Sequence, residues 1–205
     1  LDGMHAFDVH QSGYISAEWD GPLFTYIGRL NWQKGIDIFI EAVSEYLADA
    51  GEGNIVVLGS GEKYYEEKLM ALTERPGCDG RVCFLRGFSP NLANRVYAAG
   101  DFFLLPSRFE PCGLTDYIAQ LFGNLPIVNN VGGLVKVKDG VTGFSYSGTS
   151  PMELTVAMKR ARGVFADKRE VRKMQRDAYR LIEKKYTWEK IKNRYLKLYE
   201  KSMVL

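Results

Sequence analysis

With 205 residues, 46 % of them hydrophobic and 13 % aromatic, the chain is long enough for one domain with a sizeable core and too apolar to be disordered. It shows no secretory signal and no run long enough to span a bilayer. Its three cysteines, Cys78, Cys83 and Cys112, are odd in number and lack metal-type spacing, so a reducing compartment is the simplest reading. The formal net charge of +2 hides an asymmetry: the span 159–201 holds sixteen Lys and Arg against six Asp and Glu, a net of +10, and the remainder carries −8. Those cations interleave with apolar residues at helical spacing and no nucleic-acid motif accompanies them, so a solvated helical surface is expected there.

Residues 1–22 have no clear period and read as a lead-in or inter-domain linker. Both histidines, His5 and His10, fall here and make no convincing metal pair. Residues 23–27 form the first buried strand, and residues 28–35, Gly-Arg-Leu-Asn-Trp-Gln-Lys-Gly, the turn after it. Ile36, Phe39, Ile40, Val43 and Leu47 then mark one face of a helix. Arg29 and Lys34 flank this strand-to-helix crossing, the first with a bidentate fork for phosphate oxygens and the second with a compact point charge. Taken alone, phosphate binding and a pair of ordinary surface cations are equally open.

Residues 54–58 form the second strand, ending in Gly59-Ser60-Gly61; the third glycine of a dinucleotide fingerprint is missing. Tyr64, Tyr65, Leu69 and Leu72 carry the next helix, which Pro76-Gly77 stops. Residues 81–85 are the third strand, with Cys83 buried in it, and lead into Arg86-Gly87-Phe88-Ser89-Pro90 and a short helix over 92–99.

The apolar run 102–105 is the fourth strand, and the stretch after it, Pro-Ser-Arg-Phe-Glu-Pro-Cys-Gly-Leu-Thr over 106–115, organises the rest. Leu114, Ile118, Leu121 and Phe122 continue it as a helix. A strand that runs into a turn opening a helix is where open α/β sheets place ligand chemistry. Glu110 puts a carboxylate at that turn, Gly113 permits close backbone approach, and the helix start favours an anionic ligand. By itself Glu110 reads equally well as a helix cap. Residues 126–128 form a fifth strand, Gly132-Gly133 offers two unhindered N–H groups to a phosphate or sugar hydroxyl, and residues 143–146 form a short sixth strand. Ser150-Pro151-Met152-Glu153 is a capping box. Helices then run on, broken near 167–168 and 186–187, the last with the stripe Trp188, Ile191, Tyr195 and Leu198. Six strands alternating with helices imply an α/β fold, a Rossmann-like doubly wound parallel sheet with C-terminal helices.

Three strings, in order, carry a family resemblance. Ser-Arg-Phe-Glu-Pro-Cys-Gly-Leu-Thr at 107–115 resembles the signature of the starch and glycogen synthases, retaining glucosyltransferases of the GT-B fold. Residues 28–35 resemble that family's donor-phosphate motif, and Val131-Gly132-Gly133-Leu134 its third donor-site loop. The resemblance runs from Leu23 to the last helix. It implies that residues 23–205 are the C-terminal, nucleotide-sugar-binding half of a GT-B enzyme. The N-terminal half, with its Lys-x-Gly-Gly-Leu loop, would be missing and the isolated chain inactive.

As catalytic residues the resemblance implies Arg29 and Lys34, neutralising the departing diphosphate, and Glu110, holding the donor sugar or ribose and the site geometry. Gly28, Gly59 and Gly61 would line the nucleotide pocket, although a tight turn needing glycine explains Gly59 and Gly61 as well. Phe88 would stack on the base, with core packing the other reading. Cys112, Gly113, Leu114, Thr115, Gly132, Gly133 and Leu134 would hold phosphate and glucose through backbone groups. The implied donor is ADP-glucose, with UDP-glucose also open, and the implied acceptor is the 4-hydroxyl of an α-1,4-glucan, with configuration retained. No metal or other cofactor, no nucleic acid and no membrane are implied, and the expected compartment is a bacterial cytoplasm or the plastid stroma. The last helix resembles one that crosses back to the N-terminal domain, though its stripe would serve equally well to pack on its own domain.

Two places depart from the synthase pattern. Asp116 stands where the synthases usually carry glutamine, and Val135-Lys136-Val137-Lys138 stands where they continue Arg-Asp-Thr-Val into a longer loop. The compact version is closer to the wider family of GT-B transferases. A different GT-B transferase, with another sugar or acceptor, therefore stays open. So does a non-catalytic nucleotide- or glucan-binding module, against which the intact Arg29, Lys34 and Glu110 argue.

Overall fold

Residue alternation in the strands decides the layering. The computed structural model describes residues 9–18, 20–49 and 51–203. At its centre is β2 (Leu23–Leu30), with β3 (Asn54–Gly61) and β4 (Val82–Arg86) on one side. On the other lie β5 (Phe102–Leu105), β6 (Leu125–Asn129) and β7 (Phe144–Tyr146), and all six strands run parallel. Phe24 and Tyr26 of β2 face one apolar cluster and Ile27 the other, so the strand is buried on both sides, as parallel sheets require. The first cluster is closed by α1 (Ile36–Ala48), α2 (Lys63–Thr73), α5 (Pro151–Phe165) and the Val171–Met174 side of α6 (Lys168–Lys185). The second is closed by α3 (Pro90–Ala99), α4 (Thr115–Leu121) and the 3-10 turn Gly132–Lys136.

The chain reverses its winding direction between β2 and β5, and this switch point opens a crevice beyond the strand ends. Two turns therefore meet there: the 3-10 turn Trp32–Lys34 after β2, and residues 106–114 after β5. Buried Asn124, just before β6, donates from Nδ2 to Thr25 Oγ1 at 2.8 Å and so ties the β6 side to the central strand.

The sheet differs from the expectation in two respects. The lead-in read over residues 1–22 contributes a strand, β1 (His10–Gly13), which pairs antiparallel with β4 from His10↔Arg86 to Gly13↔Cys83. The sheet thus has seven strands, and His10 sits on an edge strand; His5 lies outside the described residues. Second, β2 and β3 continue three residues beyond the strands expected at 23–27 and 54–58, pairing Gly28, Arg29 and Leu30 with Gly59, Ser60 and Gly61. The reason is steric: a Cβ on Gly59 would lie 2.1 Å from Gly28 O and one on Gly61 2.2 Å from Leu30 O, so glycine allows the strands to stay paired.

Towards the C-terminus, α5 starts at Pro151 with the expected capping box between Ser150 and Glu153. In α6 the buried residues Val171, Met174, Ala178 and Ile182 recur at helical spacing while the basic side chains face solvent. The last helix, α7 (Trp188–Ser202), buries no residue: Trp188 is 86 % exposed and Tyr195, Leu198 and Tyr199 more than half. Of its stripe only Ile191 is half-buried, so most of the stripe is left uncovered among the described residues.

Candidate functional site

A cleft of about 480 Å³ opens at the switch point. Its floor is Ile27, Gly28, Leu58 and Gly59 at the ends of β2 and β3, where the glycines keep side chains out of the way. One wall is the face of α3 bearing Pro90, Ala93, Asn94 and Tyr97; another is Thr115 and Ile118 of α4. Phe88 stands at the rim, 52 % exposed, which excludes the core-packing reading for it. Burial pushes the Tyr97 phenol up to about 12, with the charge of Asp116 adding to the effect. Arg29 lines the cleft, is exposed and forms no ion pair among the described residues. The arrangement suits a flat aromatic group held against a mostly apolar surface, with a cation at hand for an anionic extension.

Beside it, Lys34 and Glu110 form an ion pair through Nζ and Oε2, with side chains 16 % and 10 % exposed. Two elements deliver them. Asn31 caps the short turn before Lys34 by accepting from Lys34 N–H at 3.0 Å, and Gly35 closes it at φ 67°, where a Cβ would lie 2.0 Å from Pro106 O. On the other side, Arg108 N–H donates to Gln33 O at 3.0 Å. The Arg108 guanidinium grips the Asp37 carboxylate with two hydrogen bonds of 2.6 Å, which hold that acid below its ordinary range. Arg108 also stacks on the exposed Trp32 ring at 4.7 Å. The two turns are thus bolted together, and the Lys34–Glu110 contact follows from that.

Tyr26 of β2 is electrostatically coupled to this site and escaped the sequence reading, which took it as an ordinary strand residue. Fully buried, it donates from its hydroxyl to Arg29 O at 2.8 Å. Burial raises its phenol well above the ordinary value, the Glu110 charge raises it further and Arg29 opposes. Tyr26 thus feels both charges, and its hydrogen bond holds the backbone at Arg29, near the end of β2. Ser107 Oγ donates to Glu110 Oε2 at 3.4 Å, and Asn129 Nδ2 holds Ser107 O at 3.0 Å. A short helix over 92–99 was expected from the sequence, but nothing there marked its Ala93, Asn94 and Tyr97 face as a wall of the site.

The remaining candidates divide. Gly28, Gly59, Phe88 and Thr115 line the cleft, whereas Gly61 lies beyond it in the β2–β3 ladder, its N–H donating to Glu66 Oε1 at 3.0 Å. Gly132 and Gly133 press against the other loop: their Cβ positions would fall 2.2 Å from Glu110 O and 2.0 Å from Cys112 O. The Gly133 N–H donates to Glu110 O at 2.7 Å, so the expectation of two unhindered N–H groups here is corrected; one is committed to joining the loops. The Leu134 side chain is fully buried in the second core cluster and its N–H donates to Val131 O. Cys112 is exposed with a free thiol and Leu114 is 61 % exposed. The helix expected to begin at Leu114 is short, Thr115–Leu121, so its dipole is modest. Among the described residues no group of three or more His, Cys, Asp or Glu side chains is placed to hold a metal.

Comparison with known proteins agrees with this geometry. The family profile described as glycosyl transferases group 1 matches residues 21–162. A glycogen synthase of Xanthomonas oryzae pv. oryzae is 40 % identical over 189 residues, covering 92 % of this chain and 36 % of the relative. Among solved structures, the catalytic domain of starch synthase IV from Arabidopsis thaliana bound to ADP and acarbose superposes with a TM-score of 0.77 at 28 % identity, over 94 % of this chain and 41 % of that one. The C-terminal domain of a group 1 family glycosyl transferase (LpcC) from Francisella tularensis gives 0.70 at 21 % identity, over 85 % of this chain and 96 % of that one, and so shares the fold. The chain spans about a third of the length of the curated relatives it matches. It belongs to the glycosyl transferases group 1 family.

Proposed function

We propose that this chain is the nucleotide-sugar-binding, C-terminal domain of a starch or glycogen synthase. Its task would be to hold ADP-glucose, or UDP-glucose, while glucose passes to the 4-hydroxyl of an α-1,4-glucan with the anomeric configuration retained. The observation that carries the reading is the juxtaposition, at one switch point, of an aromatic-rimmed cleft with Arg29 and with the Lys34–Glu110 pair. The base and ribose belong in the cleft, with Phe88 stacked on the base and the two glycines of the floor allowing close approach. The diphosphate extends towards Arg29 and Lys34. As the bond from the sugar to the diphosphate breaks, negative charge grows on the leaving group and these two cations meet it, an interaction strongest in the transition state. Because they supply that charge, the reading calls for no divalent cation. Glu110 fixes Lys34 and offers a carboxylate for hydroxyls of the donor.

A second, N-terminal GT-B domain completes the enzyme in this reading and carries the glucan acceptor. The exposed apolar stripe of α7 supports it, since Trp188, Tyr195 and Leu198 find no cover within this domain. The isolated chain then binds nucleotide without turning over. The bacterial curated relatives favour a bacterial cytoplasm over a plastid. A transferase for another sugar is the second reading, favoured by the compact loop Val135–Gly143 and by Asp116.

Calorimetric titration with ADP, UDP and ADP-glucose, repeated on Arg29→Ala and Lys34→Ala, tests the proposal. Binding of ADP that both substitutions weaken supports it, and the stronger of ADP and UDP gives the base preference. Binding of neither nucleotide, or robust glucose transfer by the chain alone, contradicts it.

A further inference from the structure

The two departures from the synthase pattern, at Asp116 and Lys136, touch in space. Lys136 Nζ lies 3.1 Å from Asp116 Oδ1, with the lysine side chain 10 % exposed and the aspartate fully buried. The same ammonium donates to Cys112 O at 2.7 Å and to Gly113 O, and sits 3.7 Å over the Tyr117 ring. Neither carboxylate oxygen of Asp116 has an aligned hydrogen bond among the described residues, so the ammonium is its compensation. All four partners belong to the 110–115 turn or to the first turn of α4, and none to the domain core beyond.

This contact closes one end of a seam whose other end is the Gly133 N–H on Glu110 O at 2.7 Å. Between the two ends the backbones touch so closely that only glycine fits at 132 and 133. At Gly113, φ is 68° and a Cβ would come within 3.0 Å of Asp116 Oδ1 and 3.3 Å of Lys136 Nζ, so the turn, the aspartate and the lysine form one packed unit. Thr115, a wall of the cleft, is the neighbour of Asp116. An ordered lysine loses considerable rotamer freedom; here that loss is spent on fixing carbonyls of a loop.

We propose that Lys136, acting with Asp116, is a positioning residue that clamps the Glu110–Thr115 turn onto the Gly132–Lys136 turn, so that the two loops facing the donor's phosphates and sugar move as one body. The inference rests on the donor-domain reading above. In the clamped state the backbone groups of Gly113 and Thr115 are held beside the diphosphate, while the β2, β3 and α3 surfaces of the base pocket make no contact with Lys136 and the clamp reaches the cleft only through the α4 wall at Thr115.

The test uses Lys136→Met, which removes the charge and keeps most of the stem, with Lys136→Arg as the conservative variant. Amide hydrogen exchange is followed over residues 110–117 and 131–137, and the affinities for AMP and ADP are measured by calorimetry. The expected result for Lys136→Met is faster exchange confined to those two segments. ADP should weaken by about tenfold, the scale of one lost charge-assisted contact, while AMP stays within about twofold; Lys136→Arg should recover most of the loss. Unchanged exchange in both segments overturns the clamp. Faster exchange with wild-type ADP affinity overturns the positioning role and leaves a purely structural contact. If Lys136→Met fails to fold, Lys136→Arg and Asp116→Asn are compared on the same two readouts, with Asp116→Asn expected to loosen the seam. Failure of the wild-type chain to bind ADP or AMP defeats the donor reading, and the positioning role with it, whereas exchange alone still reports whether the clamp exists.

Discussion

Lys34 and Glu110, 76 residues apart in sequence, are in direct contact across the switch point of the sheet. Each was assigned its own part in handling the donor, and the structure makes them partners: the Lys34 charge is shared with a carboxylate. In the donor reading, a diphosphate would compete with Glu110 for that ammonium. Glu110→Gln is therefore expected to leave ADP affinity equal or up to about threefold tighter, since a charge-assisted contact is released, while glucose transfer by the complete two-domain enzyme falls by about a hundredfold or more. Lys34→Ala is expected to do the opposite for ADP, weakening it by about tenfold, and to lower stability by about 2 kcal/mol because Glu110 is left buried without its partner. Calorimetry with ADP and thermal unfolding of both variants check the pair. Parallel losses of ADP affinity in the two variants would contradict this competition.

Phe88 carries the base-stacking assignment, and its 52 % exposure at the rim of the cleft allows binding to be separated from folding. Phe88→Ala should weaken ADP by about tenfold, the lower part of the range for one base on one aromatic ring, and shift the unfolding temperature little. Phe88→Tyr should bind as the wild type does. A fall in stability without a loss of affinity would make Phe88 a packing residue instead.

Much of this was legible in the chain, and what was not has definable causes. The run Phe102–Leu105 coincides with β5 because four consecutive apolar residues between Asp101 and Pro106 suit a short strand buried on both faces. β1 was invisible because His-Gln-Ser-Gly has no apolar pattern and only its hydrogen bonds to β4 make it a strand. β2 and β3 were read too short because Gly28-Arg29 and Gly59-Ser60-Gly61 look like turns; facing one another, those glycines permit pairing instead. Arg29, Lys34 and Glu110 came from the motifs, but no local signal could show that Lys34 meets Glu110 or that Tyr26 is coupled to the site. Those relations arise from two crossovers that converge on one edge of the sheet. Leu134 was assigned to the ligand through its backbone, and the structure adds that its side chain is fully buried in the core, because a motif records position along the chain and not which way a side chain turns.

Gly59 tests whether the floor of the cleft depends on close strand approach. A Cβ there would lie 2.1 Å from Gly28 O, a backbone atom that can retreat only if β2 and β3 separate. Gly59→Ala is expected to cost about 2 kcal/mol, as overpacking of a well-filled site does, and to weaken ADP binding by narrowing or distorting the floor. Thermal unfolding and nucleotide titration read both effects. Gly140→Ala makes a control: no atom lies within 4 Å of its Cβ position, so any loss there reflects its φ of 67° alone.

Asp116 gives the chain a pH dependence whose sign can be worked out. Burial pushes its carboxyl from 3.8 up to about 6, against the opposing pull of the Lys136 ammonium and of the nearby backbone N–H groups of the first turn of α4. The folded state therefore holds this proton more tightly than the unfolded chain does. Stability from this group is greatest at acidic pH and is lost as pH rises from about 4 through about 6, by roughly 3 kcal/mol for a shift of about two units. The ionised carboxylate is the costly form, and Lys136 offsets only part of that cost. Asp116→Asn removes the titration and keeps the shape. Its stability relative to wild type should thus improve as pH rises from about 4 through about 6 and then level off towards pH 8, whatever its absolute value at either end, whereas most acids paired on a surface give the reverse trend. Denaturant unfolding of both proteins at three or four pH values across that range measures the difference directly. A difference that stays flat, or that moves against the variant as pH rises, would show that Lys136 compensates the buried charge in full and that the acid titrates as an ordinary ion-pair partner.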